Sequence, residues 1–345
     1  MPDVALLESS DQAERVSVVI PCFNEELYVG SLLENLADQY KSDLYEIIIV
    51  DGLSEDRTRE VIAEFAKSHP RISIRIEENP ARKIPTALNL GIAAARGEII
   101  VRMDAHAIPS RGYINKCIEV LHSTGSAVVG MPCRVNPGSA TRIAAAIASG
   151  VSHPFGIGDA KYRLQTGTLE QEPVDTVAFG VFRKTLWQDL GGFNEDLVTN
   201  EDYDFNYRVR FQGGRVTLER SGYCDYFARK TLKELASQYL RYGSWKAQMI
   251  KLHPRSIRWR HLVAPAFVLS LVGLTMLGLW WPLAWLLLTL IGGTYLIFSL
   301  FFAAQLTRTT HGDLSFLLLM PVVFLTIHLT WGISFLFGLM RSPRG

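Results

Sequence analysis

Glu98-Ile99-Ile100-Val101-Arg102-Met103-Asp104-Ala105-His106 decides the reading of this chain, because an apolar run of strand length runs straight into a carboxylate and an imidazole two residues apart. Side chains at i and i+2 on an extended backbone point the same way, so Asp104 and His106 can share one cation as the strand ends. A divalent metal held there would neutralise a diphosphate and stabilise it as a leaving group. An isolated D-x-H also opens many ordinary surface loops, so its surroundings must decide.

Upstream, this run is the fourth of a series. Residues 16–21 form a β-branched stretch closed by Pro21, followed by Asn24-Glu25-Glu26 and a helical pattern through Leu32, Leu33 and Leu36. Residues 46–50 repeat the strand, Asp51-Gly52-Leu53-Ser54 the turn, and 56–68 the helix, with Val61, Ile62 and Phe65 on one face. A third strand over 71–76, a third helix over 84–95 and a fourth strand over 98–102 follow. This alternation predicts an α/β fold with a mostly parallel sheet and helices on both faces. Ligands of such sheets bind beyond the carboxyl ends of the strands. Pro21 to Glu25, Asp51, and Asp104 to His106 all fall there, so three polar clusters distant in sequence converge on one crevice.

Downstream, the charge is unevenly spread. The 345 residues have a formal net charge of +1, which gives no bias toward nucleic acid. Yet residues 1–228 carry 23 Lys+Arg against 32 Asp+Glu, while 229–260 carry 9 against 1. This basic neck leads into 262–307, 46 residues without a formal charge, and then into 314–340, 27 residues whose only titratable group is His328. Both stretches exceed the roughly 20 apolar residues that cross a bilayer. Trp280-Trp281-Pro282 supplies interfacial aromatics and a helix breaker, so three spans are expected, near 262–281, 283–304 and 316–338. The organisation expected is a body over 1–228, a basic interfacial helical neck over 229–261 and a membrane part over 262–340. Basic residues favour the cytoplasmic side, which places the body there in a multi-pass protein of the cell (inner) membrane. Three spans would put Arg341 and Arg344 on the far side, against the same rule, so the side of the C-terminus stays open. The first 15 residues are polar and acidic, without the pattern of an export signal. Cys22, Cys117, Cys133 and Cys224 show no C-x-x-C spacing and read as free thiols. Oligomeric state leaves no mark in the sequence.

Five ordered motifs resemble family 2 glycosyltransferases of the GT-A fold over about residues 16–245: VVIPCFNEE (18–26), VDGLSEDRT (50–58), PTALNLGIAAARGE (85–98) before MDAH (103–106), GGFNEDLVTNEDYDFNYRVRFQGG (191–214) and QYLRY (238–242). The RMDAHA run and the C-terminal apolar segments are similar to bacterial exopolysaccharide enzymes of the succinoglycan-biosynthesis type. The resemblance implies donor contacts at Pro21, Glu25, Asp51, Asn89, Asp104 and Arg241, with Glu25 and Asp51 on the uridine. It also implies metal ligation by Asp104 and His106, a catalytic base at Asp202, and acceptor contacts at Glu201, Gln238 and Tyr242. His106 stands where a second Asp is commoner, and because imidazole is softer than carboxylate, manganese is expected over magnesium. Tyr242 stands where the family has Trp.

The implied reaction moves a sugar from a UDP-sugar to a lipid-linked saccharide acceptor with inversion, Asp202 taking the acceptor's proton. Asn200-Glu201-Asp202 also reads as the start of a helix, since acidic residues favour a first turn. Gln238, Arg241 and Tyr242 occupy one helical turn and can face the active-site mouth together, whereas Lys230, Lys233 and Lys246 read as a lipid-facing basic surface. Within the class, the competing reading is a polyprenyl-phosphate sugar synthase, whose phosphate acceptor needs no base. Outside it stand a nucleotidyltransferase, which would carry a glycine- and Arg/Lys-rich phosphate loop after the first strand, and a non-catalytic membrane scaffold. PCFNEE is no such loop, and intact Asp51, Asp104, His106 and Asp202 weigh against a scaffold.

Overall fold

A computed structural model of the chain describes residues 14–39, 45–164, 167, 169–309 and 313–341. Residues 1–13 and Arg344, which the expectations about export and about the C-terminal side concern, lie outside these. In chain order the body runs β1 (Val16–Cys22), α1 (Val29–Gln39), β2 (Tyr45–Asp51), α2 (Thr58–Ser68), β3 (Ser73–Glu78), α3 (Ile84–Ala94) and β4 (Ile99–Arg102). Then come β5 (Ile108–Pro109), α4 (Tyr113–Thr124), β6 (Val128–Gly130), β7 (Cys133–Asn136), α5 (Arg142–Gly150), α6 (Pro154–Ile157), β8 (Gln171–Pro173) and β9 (Val181–Arg183). The body closes with α7 (Lys184–Asp189), α8 (Glu201–Phe211), β10 (Val216–Glu219) and β11 (Cys224–Phe227).

The main sheet has the order β3-β2-β1-β4-β9-β6-β10-β8. Its first half is parallel, β1 pairing with both β2 and β4 and β2 with β3. The second half mixes directions, β9 lying antiparallel to β4 and β6, and β8 antiparallel to β10. Alternate residues bury on opposite faces: Ile20, Ile47, Ile49 and Val101 join one core with Leu32 and Leu33, and Val19, Ile48, Val50 and Ile100 join the other with Leu88 and Ile92. Burial on both faces is what makes these strands read as continuous apolar runs. Gly91 lets α3 close onto the sheet, since a Cβ there would stand 2.5 Å from Val19 Cγ1 and 2.8 Å from a Val50 methyl. A second, three-stranded sheet, β5-β11-β7, begins immediately after His106.

Beyond β11 come α9 (Leu232–Leu252), α10 (Arg260–Leu277), α11 (Leu283–Thr309) and α12 (Phe316–Met340). Among the described residues three helices, over 260–277, 283–308 and 316–340, are long and apolar enough to cross a membrane. The break between the first two falls at Trp280-Trp281-Pro282. The structure corrects the picture of the neck. Rather than lying free on lipid, α9 packs along α12, with Gly243 closing onto Ser334 and the Trp331 carbonyl and Lys251 Nζ donating to the Gly338 carbonyl at 2.9 Å. Lys246 does not face lipid at all. It is buried, its ammonium 3.2 Å from the centre of the Tyr203 ring.

A second attachment left no periodic signal. The short α5–α6 segment of the body seats on α11 and α12: Phe155 packs on Tyr295, Phe302 and Phe324, and its carbonyl faces His328 Nε2 at 2.9 Å, whose Nδ1 meets the Tyr295 hydroxyl at 2.9 Å. His328 is therefore a tie between helices and body.

Candidate active site

The parallel register brings the ends of β1 and β2 level, Cys22 opposite Asp51, so Pro21 and the 23–26 loop stand beside the 51–54 turn. Asp51 is wholly buried, and its carboxylate is occupied: Ser54 donates from its amide (3.1 Å) and hydroxyl (2.5 Å), and Arg59 Nε at 2.5 Å. Arg59 also reaches Glu78 at 3.1 Å, on the neighbouring strand. Asp51 thus shapes this corner of the crevice through its turn, and its oxygens are spent on protein.

β4 ends at Arg102, so Asp104 and His106 lie not on the extended backbone expected of them but in a turn, closed by the Ala107 amide on the Asp104 carbonyl at 3.0 Å; both are half-buried, with Ala105 buried between them. Glu25 turns to His106 rather than into open space, Oε1 lying 3.0 Å from Nδ1. Burial works against protonation of this imidazole, but the Glu25 hydrogen bond and the Asp104 charge outweigh it and hold its pKa above the ordinary value. A carboxylate on one ring nitrogen fixes the ring and leaves Nε2 as the ligating atom, the usual outer-shell arrangement of metal-binding histidines.

Arg102, the last residue of β4, is the hub of the site. Its buried guanidinium lies 2.9 Å from Asp104, 3.4 Å from Glu201 and 3.3 Å from Asp202, and donates to the Ala178 carbonyl at 3.0 Å. The last two acids begin α8, after Asn200 in the left-handed region (φ 72°). Burial raises the pKa of the Asp202 carboxyl well above the carboxylate range; Arg102 pulls it down, while Glu201 and Asp104 push it further up. Glu201 is raised by the same burial, with Arg102 and Arg241 opposing.

One guanidinium faces three acids, and the mutual repulsion that raises two of them is what a divalent cation would relieve. Among the described residues no three potential ligands converge, so Asp104 and His106 would hold the ion and leave its other positions to substrate oxygens and water.

On α9, Gln238 is buried and its amide donates to the Tyr226 and Tyr242 hydroxyls at 2.9 and 3.0 Å. Arg241 is exposed on the same helix, close enough to Glu201 for its charge to be felt there. Asn89 does not join the site. Its oxygen accepts from Trp187 Nε1 and the Phe193 amide (3.0 and 2.8 Å), and its amino group donates to the Phe193 carbonyl and Glu195 (2.9 Å each). An amide so saturated clips a loop and has nothing left for a donor, which corrects the expectation placed on it.

Comparisons with known proteins bear on the family and the fold. The chain is 29% identical over 272 residues, 76% of its length and 82% of the relative's, to dolichyl N-acetyl-alpha-D-glucosaminyl phosphate 3-beta-D-2,3-diacetamido-2,3-dideoxy-beta-D-glucuronosyltransferase of Methanococcus voltae. It is 28% identical over 249 residues, 71% of its length and 73% of the relative's, to succinoglycan biosynthesis protein ExoA of Rhizobium meliloti. In fold it is similar to a solved mannosyltransferase, PcManGT from Pyrobaculum calidifontis in complex with GDP-Man and Mn2+, with a TM-score of 0.63 at 20% identity, covering 93% of this chain and 88% of that one. The family model described as "Glycosyl transferase family 2" matches residues 17–191, and with the GT-A arrangement of sheet and crevice it makes this chain a family 2 glycosyltransferase.

Proposed function

We propose that the chain is a membrane-anchored, inverting glycosyltransferase that moves a sugar from a UDP-sugar to a lipid-linked saccharide at the cytoplasmic face of the cell membrane, in the synthesis of a cell-surface glycan. The observation that carries the reading is the Arg102 hub, which couples the carboxylate of the cation pair to the acids that begin α8. The names of the Methanococcus and Rhizobium relatives, a transferase acting on a dolichyl-linked sugar phosphate and a protein of succinoglycan synthesis, support the acceptor class.

The division of labour follows from the residues. Asp202 takes the acceptor proton: its raised pKa makes it a stronger base than an exposed aspartate, and Arg102 holds it in position. Glu201 lies beside the acceptor hydroxyl, Arg241 reaches the donor diphosphate, and Gln238 fixes the Tyr242 ring on the acceptor side. Glu25 orients His106, and Asp51 holds the 51–54 turn that borders the nucleotide. A divalent cation on Asp104 and His106, manganese before magnesium, would supply charge neutralisation of the departing diphosphate. Single displacement with one base gives inversion at the transferred carbon.

Membranes containing the full chain, incubated with labelled UDP- and GDP-sugars and a lipid extract, test the reading. A labelled lipid-linked oligosaccharide from a UDP-sugar is expected. Transfer from none of the donors overturns it, and a product carrying a single sugar directly on a lipid phosphate would replace it with the synthase reading.

A further inference from the structure

Among the described residues, Arg163 forms no ion pair. Its guanidinium lies 5.6 Å from the centre of the Tyr162 ring, 5.3 Å from Tyr226 and 6.0 Å from Tyr242, and its Nε is buried with no hydrogen-bond partner. Its surroundings are neutral phenol rings, those of Tyr162, Tyr226 and Tyr242. By contrast, Arg102 meets three acids and Arg134 pairs with Asp225 at 2.6 Å. A buried charged donor left unsatisfied is expensive, and aromatic faces return only part of that cost.

Its place in the fold says what the missing partner is. Tyr226 belongs to β11, whose antiparallel register on β5 sets Asp225 opposite Ile108 and Cys224 opposite Pro109, two and three residues past His106. Tyr242 and the Gln238 amide that links it to Tyr226 come from α9, the helix that lies along α12. The cage therefore joins the small sheet that begins just past the cation pair to the helix that lies along α12.

We propose that Arg163 binds the phosphate of the acceptor lipid, the open end of its guanidinium hydrogen-bonding phosphate oxygens between the Tyr226 and Tyr242 rings. The assignment rests on the reading of the chain as a transferase to a lipid-linked acceptor. A guanidinium edge also suits the diphosphate of the donor, so the experiment separates the two sources.

The full chain in detergent is titrated calorimetrically with farnesyl phosphate, farnesol and UDP. For R163M, farnesyl phosphate binding weakens at least about 10-fold, in line with the loss of a charge-assisted hydrogen bond, while farnesol and UDP stay within about twofold. R163K keeps the charge and recovers part of the loss; should R163M unfold, R163Q against R163K makes the same comparison. Unchanged farnesyl phosphate affinity in the neutral variant overturns the proposal. So does a loss that falls on UDP instead, which would assign Arg163 to the donor. No sugar is transferred in this measurement, so its failure leaves the transferase reading standing. Conversely, a chain that binds farnesyl phosphate through Arg163 yet transfers from no donor sinks only the transferase reading.

Discussion

At Arg102 one buried guanidinium meets three acids, Asp104 and Asp202 on the side still open to solvent, and the chemistry on both sides of it depends on that one side chain. Arg102→Met leaves three carboxylates facing one another without a counter-charge. Removing one partner of a buried ionic group costs about 3–5 kcal/mol, so a clearly lowered unfolding temperature in detergent is expected together with loss of transfer. A stable, active variant would show that the acids do not depend on it. Asp202→Asn keeps shape and hydrogen-bonding capacity but removes basicity; transfer should fall by about 10²–10⁴-fold with UDP affinity near wild type. Comparable transfer would place the base elsewhere. At the cation pair, His106→Ala should abolish most activity, whereas His106→Asp should retain part of it with the preference moved from manganese toward magnesium, read from rates across a metal series in chelator-treated membranes. Asp104, His106 and Asp202 were legible because their chemistry sits in ordered motifs. Arg102 was not, because its role is to neutralise neighbours that only folding brings together. Asn89 misled for the converse reason: a polar residue inside a recognisable stretch, spent on the loop at Phe193.

Among the elements, β1, β2 and β4 announced themselves as continuous apolar runs because both of their faces are buried. β8 and β9, three residues each, are too short to show a period, so the antiparallel half of the sheet was invisible until paired. α9 was visible as a helix but misplaced, because charge pattern reports what a surface could meet and says nothing of a competing protein partner. In the fold it is held from two sides. Lys246 caps the Tyr203 ring, the Tyr203 hydroxyl donates to the Ser256 carbonyl at 3.0 Å, and His253 Nε2 faces Asp204 at 2.8 Å, all on α8. On its other side Gly243 meets α12. Gly243→Leu has no room there and should push α9 away from α12. Overpacking of this kind costs about 1–3 kcal/mol, so a lowered melting temperature and reduced transfer are expected with UDP affinity retained. Unaltered melting would mean the two helices are not tightly joined.

For the molecule as a whole, the apolar helices are more than an anchor, since α12 supports both α9 and the α5–α6 seat of the body. Truncation tests this. A chain ending after Ala228 loses Gln238, Arg241 and Tyr242; one ending after Arg260 keeps them but bares Leu235, Tyr239 and Ala247, which α12 and its neighbours cover. Both should lose transfer, the longer one aggregating when made without detergent. A soluble 1–260 fragment active on a water-soluble acceptor would show that α9 holds its place unaided. The same support has a consequence for how the protein is made. Translation delivers every strand of the sheet before residue 316, so a nascent chain can complete its crevice, and even bind nucleotide, while α9 and α5–α6 still wait for the helix that seats them. Competence to transfer a sugar then arrives only once α12 has left the ribosome and entered the bilayer, which keeps the enzyme silent until it is where its acceptor is.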